Sequence, residues 1–179
     1  VTLFIDHGTD MIWEFYHTGK KKFQDALKSF FAKVESYGAG RVLNIKALRS
    51  DSEPVYWTDV CKKMARKHNP TIRIEQTPPE TPQLNGKVEA AIGRICGKAR
   101  ALLAAAPWLP PSLWQSACEY ACERTRISCT RAKQDRVPLL AFDPKADIDL
   151  SRLVPFGTPC YYGVTSQQKS LDPTPRFAN

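Results

Sequence analysis

Apolar and polar positions alternate along the first forty residues in a pattern that predicts a hairpin followed by a helix. Residues 1–6 and 11–16 are rich in β-branched and aromatic side chains and are separated by a turn-like His-Gly-Thr-Asp segment. Two such runs joined by a short turn are typical of a β-hairpin. Residues 20–37 then carry apolar side chains at helical spacing, and Gly38 and Gly40 predict the end of that helix.

The middle of the chain predicts strands that alternate with helices. These elements are a strand, a short helix, a strand, a long helix and a further helix, at residues 41–50, 57–67, 71–76, 86–106 and 111–125. A hairpin followed by this alternation is typical of a mixed α/β fold whose sheet is covered by helices. Beyond residue 127 there are several prolines and few periodic runs.

Charge and composition narrow the class of protein. The chain has 179 residues, a net charge of +8 and a pI near 9.3, which favour a polyanionic partner. A basic domain without such a partner would have the same composition. We expect no membrane partner, because no apolar run approaches the roughly 18 residues that a membrane span needs. Residues 1–6 lack the basic start of a signal peptide, which favours an intracellular protein.

The six cysteines predict buried thiols and no structural zinc site. They include no CxxC pair, whereas zinc sites need closely spaced ligands. Cys118 and Cys122 are four residues apart in a predicted helix, where we expect them to be buried. Without a secretory signal, all six thiols are predicted to be reduced.

Two carboxylates form the candidate site. Asp51 follows a predicted strand, and Glu89 lies in the first turns of the long helix. Carboxylates placed in this way are candidates for a divalent-metal pair, since Mg²⁺ prefers oxygen ligands. The alternative is that Glu89 is an ordinary first-turn acid, which complements the positive end of the helix dipole.

Basic side chains near this pair are candidates for phosphate contacts. Lys87, Arg94 and Lys98 lie on the same predicted helix as Glu89 and would position DNA without reading its sequence. The remaining basic clusters are predicted to be solvated helix faces; they are residues 20–22, Lys62, Lys63, Arg66 and Lys67.

Two motifs resemble the integrase catalytic core of copia-type LTR retrotransposons. They are Leu48-Arg49-Ser50-Asp51 and Thr81-Pro82-Gln83-Leu84-Asn85-Gly86-Lys87-Val88-Glu89, at a separation similar to that in the family. The resemblance extends over nearly the whole chain; it also includes Phe4-Ile5-Asp6, Trp13, Arg100-Ala101-Leu102-Leu103, Trp114, Pro138, Phe142 and Phe156-Gly157-Thr158-Pro159-Cys160-Tyr161.

The resemblance implies an RNase H-like fold, with a mixed central sheet flanked by helices. It implies a core over residues 1–127 that lacks its first strand, and an extension over residues 128–179 that closes it. It also implies DNA 3′-end processing and strand transfer by an Asp-Asp-Glu triad with two Mg²⁺ or Mn²⁺ ions. Asp51 and Glu89 would be two of the three ligands. DNA and further copies of the chain would be the partners, and the nucleus the place of action.

The chain also departs from the family. The first aspartate of the family's triad would lie upstream of Val1, and Asp6 is a weaker candidate for that ligand. Ser52-Glu53-Pro54 follows Asp51 where the family has a tighter turn, and Ala90 and Ile92 replace polar residues after Glu89. We therefore expect the isolated chain to be catalytically inactive. The alternatives are a non-catalytic DNA-binding relic of an integrase and an unrelated basic α/β interaction domain.

Overall fold

A computed structural model describes residues 1–17, 19, 23–37, 45–51, 53–77, 86–129 and 136–159 of the chain. The described part is a mixed α/β structure, as the order of sequence patterns predicts. Its elements are β1 (Thr2–Ile5), β2 (Ile12–Phe15), α1 (Phe23–Tyr37), β3 (Ala47–Ser50), α2 (Asp59–His68), β4 (Arg73–Gln76), α3 (Gly86–Ala105), α4 (Trp114–Ile127) and α5 (Pro138–Phe142). Short 3₁₀ turns lie at Pro54–Trp57, Pro111–Leu113 and Leu150–Arg152.

The predicted hairpin is confirmed. Strands β1 and β2 pair antiparallel, with Thr2 opposite Phe15 and Ile5 opposite Ile12. The Asp6 carboxylate closes the turn by accepting hydrogen bonds from the Thr9 backbone N–H at 2.8 Å and the Thr9 hydroxyl at 2.7 Å. These bonds satisfy the polar groups of a turn that local sequence had indicated.

The second pair of strands is parallel. Ala47 lies opposite Arg73 and Ser50 opposite Gln76, and α2 forms the crossover between β3 and β4. A parallel pair needs such a long connection, which explains why a helix separates the two strand patterns in the sequence. The strands are also joined by their side chains, since Arg49 forms an ion pair with Glu75 at 2.7 Å.

The described strands pair as two two-stranded sheets, β1–β2 and β3–β4. The RNase H-like central sheet stays a prediction. Within the described residues, no strand lies between β1 and β3 and pairs with both. Two of the cavities described below lie between these two strands.

Helices cover both faces of the hairpin, as the mixed α/β pattern predicts. Trp13 points into a core with α1 and packs edge-to-face on Phe30 and Phe142, with ring centroids 5.4 and 5.0 Å away. The adjacent Ile12 points to the opposite side, into a core formed by α3 and α4. Successive side chains of a strand point to opposite faces, so β2 contributes to both cores.

Only part of the apolar stripe of α3 is buried. Ala91, Ile95 and Ala99 are buried against the small residues of α4, among which Cys118 and Cys122 are buried as expected. Val88 and Ile92 have the same helical spacing, but Val88 is half-buried and Ile92 is 39% exposed. The contact between the two helices consists mainly of alanine and cysteine, together with Ile95.

Two further observations concern helices. The five-residue α5 had no counterpart among the predicted elements, since it is too short to show helical periodicity.

None of the helices in the described ranges has the length and apolar character that a membrane crossing requires. The predicted boundary between residues 127 and 128 stays a prediction.

Candidate functional site

Asp51 and Glu89 line one cavity, although they are far apart in the sequence. The cavity has a volume of about 260 Å³ and lies between β1, β3, α1, α2 and the start of α3. Asp51 enters it from the end of β3 and Glu89 from the first turn of α3. Asp51 and Glu89 are both exposed.

The turn after Asp51 is built from its own polar groups. Asp51 Oδ1 accepts a hydrogen bond from the Glu53 backbone N–H at 3.2 Å, and the Ser50 hydroxyl donates to the Asp51 carbonyl oxygen at 3.1 Å. Pro54 then begins a 3₁₀ turn. An aspartate that bonds to the backbone two residues later forms an Asx-type turn, which orients its carboxylate at the strand end.

Contacts of Lys87 fix the first turn of α3, which also carries Glu89. Two residues earlier, the Lys87 ammonium lies 2.6 Å from Asp10 Oδ1 and also donates to the His7 carbonyl oxygen. These contacts hold the first turn of α3 against the β1–β2 turn. Glu89 also lies at the end of the helix where the dipole favours a negative charge.

The three basic residues predicted to contact DNA have different environments. Lys87 is engaged with Asp10, whereas Arg94 is exposed on α3. Lys98 donates a hydrogen bond to the Thr125 hydroxyl at 2.8 Å. Partial burial lowers the pKa of Lys98, and the nearby Arg94 lowers it further. Their role in DNA binding stays a prediction.

Two basic side chains of the cavity were missed by the sequence interpretation. Arg49 and Lys62 line the cavity together with Asp51 and Glu89. Lys62 was assigned to a solvated helix face, but it is half-buried next to the buried Cys61. Its place beside the apolar stripe of α2 is the signal that could have found it. The prediction is confirmed for the exposed Lys63, Arg66 and Lys67.

Comparisons with known proteins agree with the resemblance inferred from the motifs around Asp51 and Glu89. No family model matches the chain. It is 30% identical over 167 residues to the retrovirus-related Pol polyprotein from transposon TNT 1-94 of Nicotiana tabacum. That alignment includes 93% of this chain and 12% of the polyprotein. The chain is integrase-like. Its predicted relationship to the integrases of copia-type retrotransposons is confirmed.

The fold of this integrase-like chain also has a solved relative. It matches a chain of the cryo-EM structure of a simian T-cell lymphotropic virus intasome in complex with the PP2A regulatory subunit B56 gamma. The TM-score is 0.62 at 16% identity, over 92% of this chain and 52% of the other. At that identity the match concerns the fold alone. The chain is therefore related in sequence to a retrotransposon polyprotein and in fold to a chain of a retroviral intasome structure.

Asp51 and Glu89 of the integrase-like chain are ligands of the type that a hard metal ion prefers. Two carboxylates are fewer than the three that the predicted triad contains. Asp51 and Glu89 supply the oxygen ligands that Mg²⁺ and Mn²⁺ prefer. In the described ranges, no group of three or more His, Cys, Asp or Glu side chains has the arrangement of a metal site. Asp6 lines a neighbouring cavity and its carboxylate accepts hydrogen bonds from Thr9, and its role as a ligand stays a prediction.

Proposed function

We propose that this chain is the RNase H-like catalytic core of an integrase that processes DNA 3′ ends and transfers them to target DNA. The observation that carries this proposal is the placement of Asp51 and Glu89 on one solvent-open cavity. A strand end and a helix start are rigid elements, and they support a reactive centre more accurately than mobile loops do.

In this proposal, Asp51 and Glu89 hold divalent cations through one carboxylate each. Two Mg²⁺ or Mn²⁺ ions, when bound, stabilise the attacking and leaving oxygens of an in-line displacement at phosphorus. Arg49 and Lys62 line the same cavity and add positive charge near a bound phosphate. The hydrogen bond from the Glu53 backbone N–H to Asp51 Oδ1 restrains the aspartate at the end of β3.

The exposed face of α3 provides the proposed DNA contact. Gly93 and Gly97 follow Glu89 at four-residue intervals, and a Cβ added at either would meet no atom within 4 Å. A phosphate backbone can approach closely over these two positions. Arg94 and Lys98 lie next to them and supply cations, so binding should weaken steeply as salt rises.

Catalysis requires more than the chain itself contains. A third carboxylate, on a segment before Val1 in a longer protein, would complete the triad with Asp51 and Glu89. We propose that such a protein acts in the nucleus as a homo-oligomer on DNA ends. The match to a chain of an intasome structure supports this assembly. The chain spans only 12% of the polyprotein it matches, so these activities belong to the proposal.

Metal binding can be measured on the chain as it is. Mn²⁺ is added during NMR, and paramagnetic broadening is expected first at amides near Asp51 and Glu89. The broadening should be lost in the double variant Asp51→Asn with Glu89→Gln. Asp59→Asn is the matched control, because Asp59 is exposed and does not line the cavity. Broadening that spreads evenly over all exposed acids would contradict the metal site.

Catalysis is tested in a longer protein that includes the preceding segment. With Mg²⁺ and a radiolabelled DNA end, strand transfer is expected for the parent, with a loss of at least about a hundredfold in Asp51→Asn or Glu89→Gln. If both variants retain activity, the catalytic assignment fails. Salt-sensitive DNA binding without strand transfer in the parent would instead identify the non-catalytic relic.

A further inference from the structure

A third cavity, with a volume of about 280 Å³, lies between the hairpin and the pair of helices α3 and α4. Neither Asp51 nor Glu89 lines it, and the proposed function does not use it. Its lining contains three cysteine side chains, one from α3 and two from α4, which are Cys96, Cys118 and Cys122. The cavity therefore gathers three thiols of the chain in one place.

The packing of α3 against α4 brings Cys96 and Cys118 to the same level. A short connection joins the two helices, so the last turns of α3 adjoin the first turn of α4. There the Arg100 guanidinium lies over the Trp114 ring, 6.0 Å from its centroid. Cys96 lies one turn before Arg100 on α3, and Cys118 lies one turn after Trp114 on α4. Because residues four apart share a helix face, one turn away from the Arg100–Trp114 contact along both antiparallel helices leads to the two cysteines.

The two thiols differ in their exposure to solvent. Cys96 is half-buried, whereas Cys118 is only 6% exposed. Burial raises the pKa of the Cys118 thiol, and a negative charge on the neighbouring Cys96 raises it further. The pKa of Cys122 is instead raised by burial and by Glu14. Cys118 is therefore the thiol that adjoins Cys96, and an oxidant from solvent reaches Cys96 first.

We propose that Cys96 and Cys118 are a modification site at which a hydroperoxide oxidises the two thiols to a disulfide that joins α3 to α4. The half-buried Cys96 reacts first, and the buried Cys118 is the resolving thiol. A disulfide requires two Cα atoms within about 7 Å of each other, so this one would link the facing turns of the two helices. Since the first turn of α3 carries Glu89, the disulfide would also restrain the helix that bears the candidate metal ligand.

The reaction proceeds in two balanced steps. The Cys96 thiolate attacks one peroxide oxygen and the O–O bond breaks, so that Cys96 becomes a sulfenic acid and the other oxygen leaves with the thiol proton as an alcohol or as water. The Cys118 sulfur then attacks the Cys96 sulfur and the S–O bond breaks, and the hydroxide that leaves takes the Cys118 proton as water. The two thiols lose two electrons and two protons, and the hydroperoxide accepts both pairs.

The test uses the unaltered chain without metal or DNA, so its outcome is independent of the proposed function. The reduced protein is treated with hydrogen peroxide at several protein concentrations, the remaining thiols are alkylated, and the peptides are identified by mass spectrometry. Cleavage after Glu119 separates Cys118 from Cys122, so the two possible partners of Cys96 are distinguished. The expected main product is a Cys96–Cys118 pair that forms at a rate independent of protein concentration. A Cys96–Cys122 pair, a link between chains, or over-oxidised Cys96 with Cys118 still alkylated would each overturn the proposal.

Thermal unfolding provides a second measurement. Oxidation should raise the melting temperature of the unaltered chain by about 5 °C or more, because the disulfide restricts the unfolded chain, and dithiothreitol should reverse the rise. Cys118→Ser should show no rise on oxidation. Cys129→Ser is the matched control, since Cys129 is an exposed free thiol, and it should behave as the unaltered chain does. No rise in the unaltered chain, or an equal rise in Cys118→Ser, would contradict a disulfide site built into the fold.

Discussion

Lys87 at the start of α3 forms an ion pair with Asp10 in the β1–β2 turn, with Nζ and Oδ1 2.6 Å apart. Asp10 adopts a positive φ of 63°, so the contact joins an unusual turn conformation to the first turn of a helix. Lys87 therefore has a structural partner in addition to its place near Glu89. Its predicted role as a phosphate contact competes with this ion pair.

Replacing Lys87 separates these two roles. Lys87→Met is expected to lower the free energy of unfolding by about 1 kcal/mol, because a partly buried ion pair is lost. It should change the salt dependence of DNA binding less than Arg94→Met does, since Arg94 is exposed. Urea denaturation and fluorescence anisotropy at several salt concentrations measure the two effects. Equal effects of both variants on the salt slope would place Lys87 among the DNA contacts.

Among the polar contacts, loss of the contact between Arg126 and β2 should lower the free energy of unfolding the most. Its guanidinium is buried, donates to the Ile12 carbonyl oxygen and pairs with Glu14. Arg126→Met leaves the Glu14 carboxylate buried without its partner, and we expect a loss of about 3 kcal/mol in urea denaturation. The double variant with Glu14→Leu should recover most of this loss. A double variant no more stable than Arg126→Met would contradict the assignment of the cost to the unpaired carboxylate.

Phe142 tests whether α5 belongs to the main core. Its ring packs edge-to-face on Trp13 and on Tyr37. Phe142→Ala should destabilise the chain by about 2 kcal/mol, because the ring is half-buried and its removal leaves a gap beside Trp13. The midpoints of thermal unfolding measured by tryptophan fluorescence and by circular dichroism should then decrease by the same amount. If only one of the two signals shifts, residues 138–142 unfold apart from the core.

Replacing each of two glycines by alanine should change the stability of the chain in opposite directions. Gly97 lies in α3, and its added Cβ would meet nothing within 4 Å, so Gly97→Ala should stabilise the helix by up to about 1 kcal/mol. Gly157 has a φ of +83°, and its Cβ would lie 3.0 Å from that of Ala106. Gly157→Ala should therefore be destabilising. Melting temperatures of the two variants provide the comparison, and the same sign for both would refute it.

Ionisation of Cys122 should lower the free energy of unfolding at alkaline pH. Burial, with a further contribution from Glu14, raises the pKa of this thiol from 9.0 to about 12. The unfolded chain then releases the proton at a lower pH than the folded chain, so the free energy of unfolding decreases between about pH 9 and pH 12. Urea denaturation across this range should show the decrease, and Cys122→Ala should reduce its slope. An unchanged slope would exclude Cys122 as a cause.

Local sequence patterns predicted most of the secondary structure, because hairpins and amphipathic helices depend on neighbouring residues. The hairpin, α1 and both parallel strands lie within their predicted segments, whereas α2 ends one residue and α4 two residues beyond theirs. Predicted positions at residues 20–22 and 41–44 lie outside the described residues. The periodicity of α3 was recognised, but which of its apolar residues are buried depends on α4, a partner that periodicity does not specify.

The sequence by itself determined the family and its two candidate acids, since the motifs around Asp51 and Glu89 are contiguous stretches of residues. Only the tertiary structure decided that these acids share a cavity, that Lys62 joins them, and that Lys87 is bound to Asp10. It also decided that residues of β1 and β3 line the same two cavities. Such relations arise from packing between distant segments, which the spacing of residues along the chain does not encode.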